Sequence, residues 1–194
     1  REDGGGYRLH QQSYEAELTK KWEVEEVRQQ LDFKLPLPEE EAEFQKSEDH
    51  DLIRRAQACT GALLWLATRT RPEISLGVSA MSRLCTKAPD ITISIGLRIM
   101  AYLRRPTMGL IYAEHPGPAH GERDQLGLPR CERTIEAFSD ISYASTKGYR
   151  SVQGQVYYYA GAPIMWNTNR QPFPTQSTAE SELVSLCEAL VGGR

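Results

Sequence analysis

The chain has 194 residues, of which 40% are hydrophobic and 25% charged, and its formal net charge is −3. This is ordinary globular composition, which excludes a collagen, a coiled coil and a wholly disordered chain. No apolar run reaches the length of about 18 residues that suggests a transmembrane helix, so we expect no membrane partner.

The first 50 residues predict a short strand, a helix and a linker. Residues 7–11 alternate and predict a short strand, and Ser13 is a plausible N-cap for a helix that carries Tyr14, Leu18 and Trp22. Residues 35–41 contain two prolines, which a helix cannot continue through. We therefore interpret residues 35–50 as an acidic, proline-containing linker.

Three helices are predicted between residues 51 and 105. Apolar residues recur at steps of three and four from Leu52 to Leu66, which is typical of a helix with one buried face. Arg71-Pro72 ends this helix, because the residue before proline avoids the α region. Pro72 then begins a second helix with an apolar face of Leu76, Ala80, Met81 and Leu84, and a third helix covers about residues 91–104.

The pattern then changes to strands and a last helix. Residues 108–113, 135–140, 154–159 and 164–166 predict strands, and residues 160–163 a hairpin turn. Residues 115–132 have the composition of a loop. The final segment, about 177–191, predicts a helix with Ala179, Leu183, Leu186 and Leu190 on one face.

Charge and cysteine content give further constraints. Residues 1–51 hold 15 acids and 7 bases, whereas residues 52–105 hold 9 bases and 2 acids. The basic segment is either a surface that follows a phosphate backbone or a solvated helix surface beside an acidic linker. The cysteines, Cys59, Cys85, Cys131 and Cys187, have neither zinc-site nor disulfide-framework spacing, so we expect reduced thiols in an intracellular protein, without a disulfide partner.

A series of short motifs occupies the second half of the chain. In order, they are Phe138-Ser139-Asp140, Arg150-Ser151, Gly161 to Trp166, Gln171-Pro172 and Ser177-Thr178-Ala179-Glu180-Ser181-Glu182. This series resembles the ribonuclease H region of copia-type retrotransposon polyproteins. Upstream, Gly61 to Ala67, Thr70 to Ile74 and Ile99 to Arg104 resemble the segment that precedes that region, and Gln12-Ser13-Tyr14 resembles the end of the reverse transcriptase domain.

The resemblance implies an α+β protein in which a helical connection segment precedes a truncated RNase H-like mixed β-sheet with a packed helix. The implied domains are the thumb-like end of a reverse transcriptase (1–34), the linker (35–50), the connection segment (51–105) and an incomplete RNase H-like domain (106–194). We expect the chain to be a fragment, with the polymerase motif before residue 1 and the third RNase H carboxylate beyond residue 194.

The resemblance also implies a metal site. RNase H chemistry uses two Mg²⁺ ions about 3.5–4 Å apart, held by carboxylates that converge from separate elements. Asp140 and Glu182 correspond to the first two ligands and would be the catalytic residues. Glu180 is the alternative, because it and Glu182 lie about 80° to either side of an apolar face centred on Leu190. The alternative interpretation is that neither residue binds a metal. Asp140 is then an acid that ends a strand, and Glu182 is an exposed acid on a helix.

The resemblance assigns an RNA–DNA hybrid or a template–primer duplex as the partner. The arginines expected to contact its backbone are Arg69, Arg71, Arg98, Arg104, Arg105 and Arg150. It also implies an intracellular location, in a cytoplasmic particle or the nucleus.

The chain departs from the family pattern at Ser142, Tyr143 and residues 151–154, and the rival hypothesis is an inactive nucleic-acid-binding remnant. An unrelated protein-interaction domain has only the acidic linker in its favour.

Other candidate sites are weaker. His115, His120 and Cys131 lie in the predicted loop, where nothing fixes their separation, and Tyr157 to Tyr159 predict core packing better than base stacking.

Overall fold

A computed structural model describes residues 6–105, 109–112, 135–142, 150–159 and 162–192. The strands are β1 (Tyr7–Leu9), β2 (Leu110–Tyr112), β3 (Ile135–Ser142), β4 (Val152–Tyr159) and β5 (Ala162–Arg170). The helices are α1 (Gln12–Lys21), α2 (Pro38–Glu43), α3 (His50–Arg69), α4 (Ser75–Leu84), α5 (Pro89–Leu103) and α6 (Thr178–Gly192), and a 3-10 turn (Pro72–Ile74) precedes α4.

The chain divides into two compact units. Residues 10–109 form one, which we call the helical unit, and residues 1–9 with 110–194 form the other, which we call the sheet unit. The predicted domain bounds at residues 34, 50 and 105 stay a prediction.

The core of the helical unit lies between α3, α4 and α5. The predicted spacing is confirmed in α3, where Cys59, Leu63 and Leu66 are fully buried, and α5 contributes Ile95 and Ile99. Asp49 caps α3 by accepting a hydrogen bond from the Leu52 N–H at 2.9 Å. Burial of these apolar side chains is the main stabilising contribution to the unit.

Two details of the N-terminal region differ from the predictions. Gln11, and not Ser13, precedes the first turn of α1, since the Glu15 N–H donates to the Gln11 carbonyl at 2.9 Å. The proline segment also contains α2, which starts at Pro38. Proline is compatible with the first turn because that turn has no intrahelical partner for its N–H, and Glu40 accepts a hydrogen bond from the Leu37 N–H at 2.8 Å.

In the sheet unit, β3, β4 and β5 form an antiparallel sheet in that order, and β1 pairs with β2. Asp140 lies opposite Gly154 in the β3–β4 register, and the register of β4 with β5 shifts between Tyr157 and Tyr158. The predicted α+β class is confirmed. Every pairing between described strands is antiparallel, so the parallel strand that a mixed sheet requires is not among them.

Helix α6 contacts the sheet through small residues. Ser181, Ser185 and Ala189 are buried, whereas Leu183, Leu186 and Leu190 are 50–61% exposed. The expected apolar face of this helix therefore points to solvent. Small side chains allow the α6 backbone to approach the sheet closely, and its carbonyl groups accept hydrogen bonds from strand side chains. None of the helices in the described part of the chain is long and apolar enough to cross a membrane.

Candidate functional site

Asp140 lies within β3, two residues before the end of that strand, and its side chain is exposed. The predicted strand is not buried, because every residue of β3 is exposed or partly exposed. Phe138, for example, is 53% exposed. Within the described residues, Asp140 has no hydrogen bond or ion pair that would hold its carboxylate in place.

Asp140 and α6 lie on opposite faces of the sheet. Directly paired residues share a face and successive residues alternate. Asp140 pairs with Gly154, and so shares a face with Phe138 and Tyr158, whose rings pack edge to face at 5.8 Å. Tyr157 directly precedes Tyr158 in β4 and therefore lies on the other face. Its hydroxyl donates a hydrogen bond to the Ala189 carbonyl of α6 at 3.0 Å. Helix α6 therefore covers the face of Tyr157, and Asp140 points away from it.

The two glutamates of α6 have different surroundings. Glu180 accepts a hydrogen bond from the Gln176 N–H at 2.7 Å, and its own N–H donates to Ser177 Oγ at 3.1 Å, so it stabilises the start of the helix. Glu182 is exposed and has no partner among the described residues. Of the two, Glu182 has the carboxylate that is not used in capping.

The residues as placed do not fit a two-metal site. Magnesium requires oxygen ligands that converge, but the sheet separates Asp140 from α6, which carries Glu182. Nor do the described residues contain any group of three His, Cys, Asp or Glu side chains that could hold a metal ion. We therefore derive no catalytic step through a metal from this arrangement.

The structure does bring several of the sequence motifs together, at the start of α6. The buried Gln171 donates its side-chain amide to the Ser181 carbonyl at 2.7 Å, and its N–H donates to the Ser151 carbonyl at 2.9 Å. Ser181 Oγ lies 3.2 Å from Ser151 Oγ and also contacts Thr175 Oγ1. These side chains form a buried polar cluster that ties α6 to the start of β4 and the end of β5.

The six predicted nucleic-acid-binding arginines have different environments. Arg69 and Arg98 are exposed, as a phosphate contact requires. Arg71 is only 1% exposed, so its assignment is corrected: its Nη1 lies 3.2 Å from Glu15 Oε1 and its Nε 2.7 Å from Glu73 Oε1. Burial raises the pKa of Glu15, against the opposing effect of the Arg71 charge.

The other arginines contact backbone carbonyls. Arg104 donates to the Val24 carbonyl at 2.7 Å and Arg105 to the Gln29 carbonyl, while the Arg105 guanidinium lies over the Tyr102 ring at 5.0 Å. In the sheet unit, Arg150 donates to the Pro172 carbonyl at 3.2 Å and is exposed. Arg104 is likewise exposed and keeps part of its side chain accessible to a ligand.

Trp65 was not identified from the sequence. It is 48% exposed on α3, and the guanidinium carbon of Arg69 lies 4.9 Å from the centroid of its ring. The available signal was the spacing of four residues, which places an aromatic and a basic side chain next to each other on a helix. Of the tyrosines considered for stacking, Tyr157 is buried, as predicted for core packing.

The remaining predictions concern cysteines and the loop. Cys59, Cys85 and Cys187 are free thiols, and burial raises the pKa of Cys59 to about 12. Cys131, His115 and His120 lie outside the described residues, as do the turn residues Ala160 and Gly161.

Comparison with known proteins relates the chain to a transposon protein. A protein of Saccharomyces cerevisiae whose name assigns it to transposon Ty5-1 is 30% identical over 138 residues, which are 70% of this chain and 40% of that relative. The chain thus spans less than half the length of this curated relative. No family model matches the chain, and no solved structure matches it.

Proposed function

We propose that the chain is part of a copia-type retrotransposon polyprotein and extends from the end of the reverse transcriptase into the RNase H region. In this proposal the parent protein cuts the RNA strand of RNA–DNA hybrids during RNA-directed DNA synthesis. The similarity to a Ty5-1 transposon protein supports the retroelement origin. The order of the motifs from Gly61 to Glu182 supports the specific region.

The observation that carries the proposal is the contact between motif residues that are distant in sequence. Gln171 joins Ser151 to Ser181, and these residues come from three separate motifs of the resemblance. The cluster fixes the start of α6, the helix that carries Glu182.

A second candidate is favoured by the position of Asp140. This candidate is a nucleic-acid-binding remnant without hydrolytic activity, and the placement of Asp140 on the sheet face opposite α6 supports it. The parent activity, with Mg²⁺ on Asp140 and Glu182, requires an arrangement that brings both carboxylates to one site. The two candidates therefore differ in whether the protein cleaves an RNA–DNA hybrid, and both predict that it binds one.

Binding in both cases depends on exposed arginines. Arg69 and Arg98 of the helical unit, with the partly engaged Arg104 and Arg105, would contact phosphates. Such contacts are independent of sequence, and the resulting affinity falls steeply with salt. The proposed ligand is an RNA–DNA hybrid or template–primer duplex, and the resemblance extends to an intracellular location in a cytoplasmic particle or the nucleus.

Hybrid cleavage by the longer polyprotein tests the parent activity. We expect cleavage of a labelled RNA–DNA duplex with Mg²⁺ and none with EDTA, and we expect Asp140→Asn to abolish it. Asp90→Asn, which changes an exposed acid on α5, is the matched control and should leave cleavage unchanged. If Asp140→Asn cleaves as well as the unmodified polyprotein does, the site assignment fails. If neither the polyprotein nor its variants cleave but all of them bind the hybrid, the remnant hypothesis stands.

A further inference from the structure

The exposed side of α3 carries an aromatic and basic surface. Its residues are Arg54, Ala58, Gly61, Trp65 and Arg69, which we call the α3 stripe. At about 100° per residue, all of them lie within about 40° of Trp65 around the helix axis. Each is exposed in the structure, so the α3 stripe faces away from the core of the helical unit.

Trp65 is the central feature of this surface. About half of its side chain is accessible, at 48%, although a tryptophan of a stable core is usually well buried. Arg69 lies over the ring at 4.9 Å, an arrangement that orients the indole and adds a positive charge beside it. Gly61 lies one helical turn before Trp65, and a Cβ at that position would meet nothing within 4 Å, so the surface at Gly61 is open.

The charges of the α3 stripe favour an anionic ligand. Arg54 and Arg69 lie at its two ends, about 22 Å apart along the helix at 1.5 Å per residue. Arg54 pairs with Asp51 at 3.5 Å, but both side chains are highly exposed, at 78% and 91%, so this pair is weak and Arg54 stays available. A ligand with an exposed flat ring between two phosphates matches this combination.

We propose that the α3 stripe binds single-stranded nucleic acid, with a base stacked on Trp65 and backbone phosphates on Arg69 and Arg54. The proposal rests on the nucleic-acid binding proposed above and adds a preference for unpaired strands at this surface. In a duplex the faces of the bases are covered by their neighbours, whereas an unpaired base offers its face to an aromatic ring. The arginines alone would contact paired and unpaired backbones alike.

Fluorescence anisotropy with the whole chain tests this inference. The probes are a labelled oligothymidylate of about 12 nucleotides, within the usual site size for such proteins, and an RNA–DNA hybrid of matched length. Trp65→Ala should weaken oligothymidylate binding by about 5- to 150-fold, the range expected for loss of one base–aromatic stack, and leave hybrid affinity unchanged. Trp65→Phe should retain most of the affinity, because it keeps an aromatic ring.

Leu76→Ala is the matched control, since Leu76 is a 42% exposed apolar residue on α4. It should leave oligothymidylate affinity unchanged. If Trp65→Ala has no larger effect than Leu76→Ala while the hybrid still binds, the inference about the α3 stripe is overturned and the proposed function is not. Equal losses for Trp65→Phe and Trp65→Ala would also overturn it. If the unmodified chain binds neither probe at low salt, the proposed function fails as well.

Discussion

Arg71 and Glu15 form a buried ion pair that joins α1 to the end of α3, with Nη1 3.2 Å from Oε1 and side-chain exposures of 2% and 6%. Removing one partner of such a pair leaves an uncompensated charge in the core. We expect Arg71→Ala, which leaves the buried Glu15 without its counter-charge, to lower the free energy of unfolding by about 3–5 kcal/mol, measured by urea denaturation. Arg54→Ala, which removes an exposed pair with Asp51, should change it by less than about 1 kcal/mol. Similar effects of the two substitutions would contradict the role of the buried pair.

The raised pKa of Glu15 predicts that the free energy of unfolding depends on pH. Because burial raises this pKa above its ordinary value, the folded state binds the proton more tightly than the unfolded state does. The contribution of Glu15 to stability is therefore complete below the unfolded pKa of about 4.5 and decreases as the pH rises through the folded pKa. As the pH rises over this range, we expect the unmodified chain to lose stability relative to Glu15→Gln. A shift in the opposite direction would show that the Arg71 charge outweighs burial.

Two helix glycines test the packing of the helical unit. A Cβ on Gly96 would overlap Cys59 Sγ and come within 2.9 Å of Met81 Cε, so Gly96→Ala should destabilise the fold by about 1–3 kcal/mol. Gly61 has open space and lies in the interior of α3, where alanine is the better helix former. Gly61→Ala should therefore stabilise by about 0.5–1 kcal/mol. Thermal denaturation of both variants gives the comparison, and destabilisation by Gly61→Ala would contradict it.

A substitution in the buried polar cluster at the start of α6 should lower the stability of the sheet unit. Gln171→Leu removes the hydrogen bond that links the end of β5 to the Ser181 carbonyl of α6. We expect a loss of about 0.5–1.5 kcal/mol and faster hydrogen exchange of the α6 amides. Gln57→Leu on the exposed side of α3 is the control and should leave α6 exchange unchanged. Unchanged exchange in Gln171→Leu would mean that the cluster does not anchor the helix.

Cysteine reactivity tests burial directly. The pKa of Cys59 is raised to about 12, whereas Cys187 is exposed on α6. Since the thiolate is the reactive form, iodoacetamide at pH 8 should modify Cys187 and leave Cys59 unmodified in the folded chain. Peptide mass mapping reads both sites in one sample, and urea should make Cys59 reactive. Equal modification of the two in the folded state would contradict the described core.

Much of the helical unit was predictable because its signals are local. The three- and four-residue spacing from Leu52 to Leu66 predicts α3, and Pro72 marks its end. The burial of Arg71 was not predictable, because its partner Glu15 lies 56 residues away and a charge count does not show pairing. For the same reason Arg71 was wrongly included among the nucleic-acid contacts.

The sheet unit was less predictable, because the face of the sheet on which a side chain lies depends on the register of strand pairing. The periodicity of α6 placed its leucines on one face correctly but did not indicate that Ser181, Ser185 and Ala189 would contact the sheet. Likewise, the motif around Asp140 says nothing about the face on which the carboxylate lies, which the pairing of Asp140 with Gly154 decides. The metal site therefore stays a proposal for the parent protein.

The most direct test of the central claim is hybrid binding and cleavage by the 194-residue chain itself. A labelled RNA–DNA duplex is titrated at several salt concentrations, with Mg²⁺ or EDTA. The account predicts binding at low salt, with log affinity falling linearly as log salt rises, and no cleavage by this chain. Absence of binding at low salt would contradict the proposed function, and Mg²⁺-dependent cleavage would contradict the placement of Asp140 away from α6.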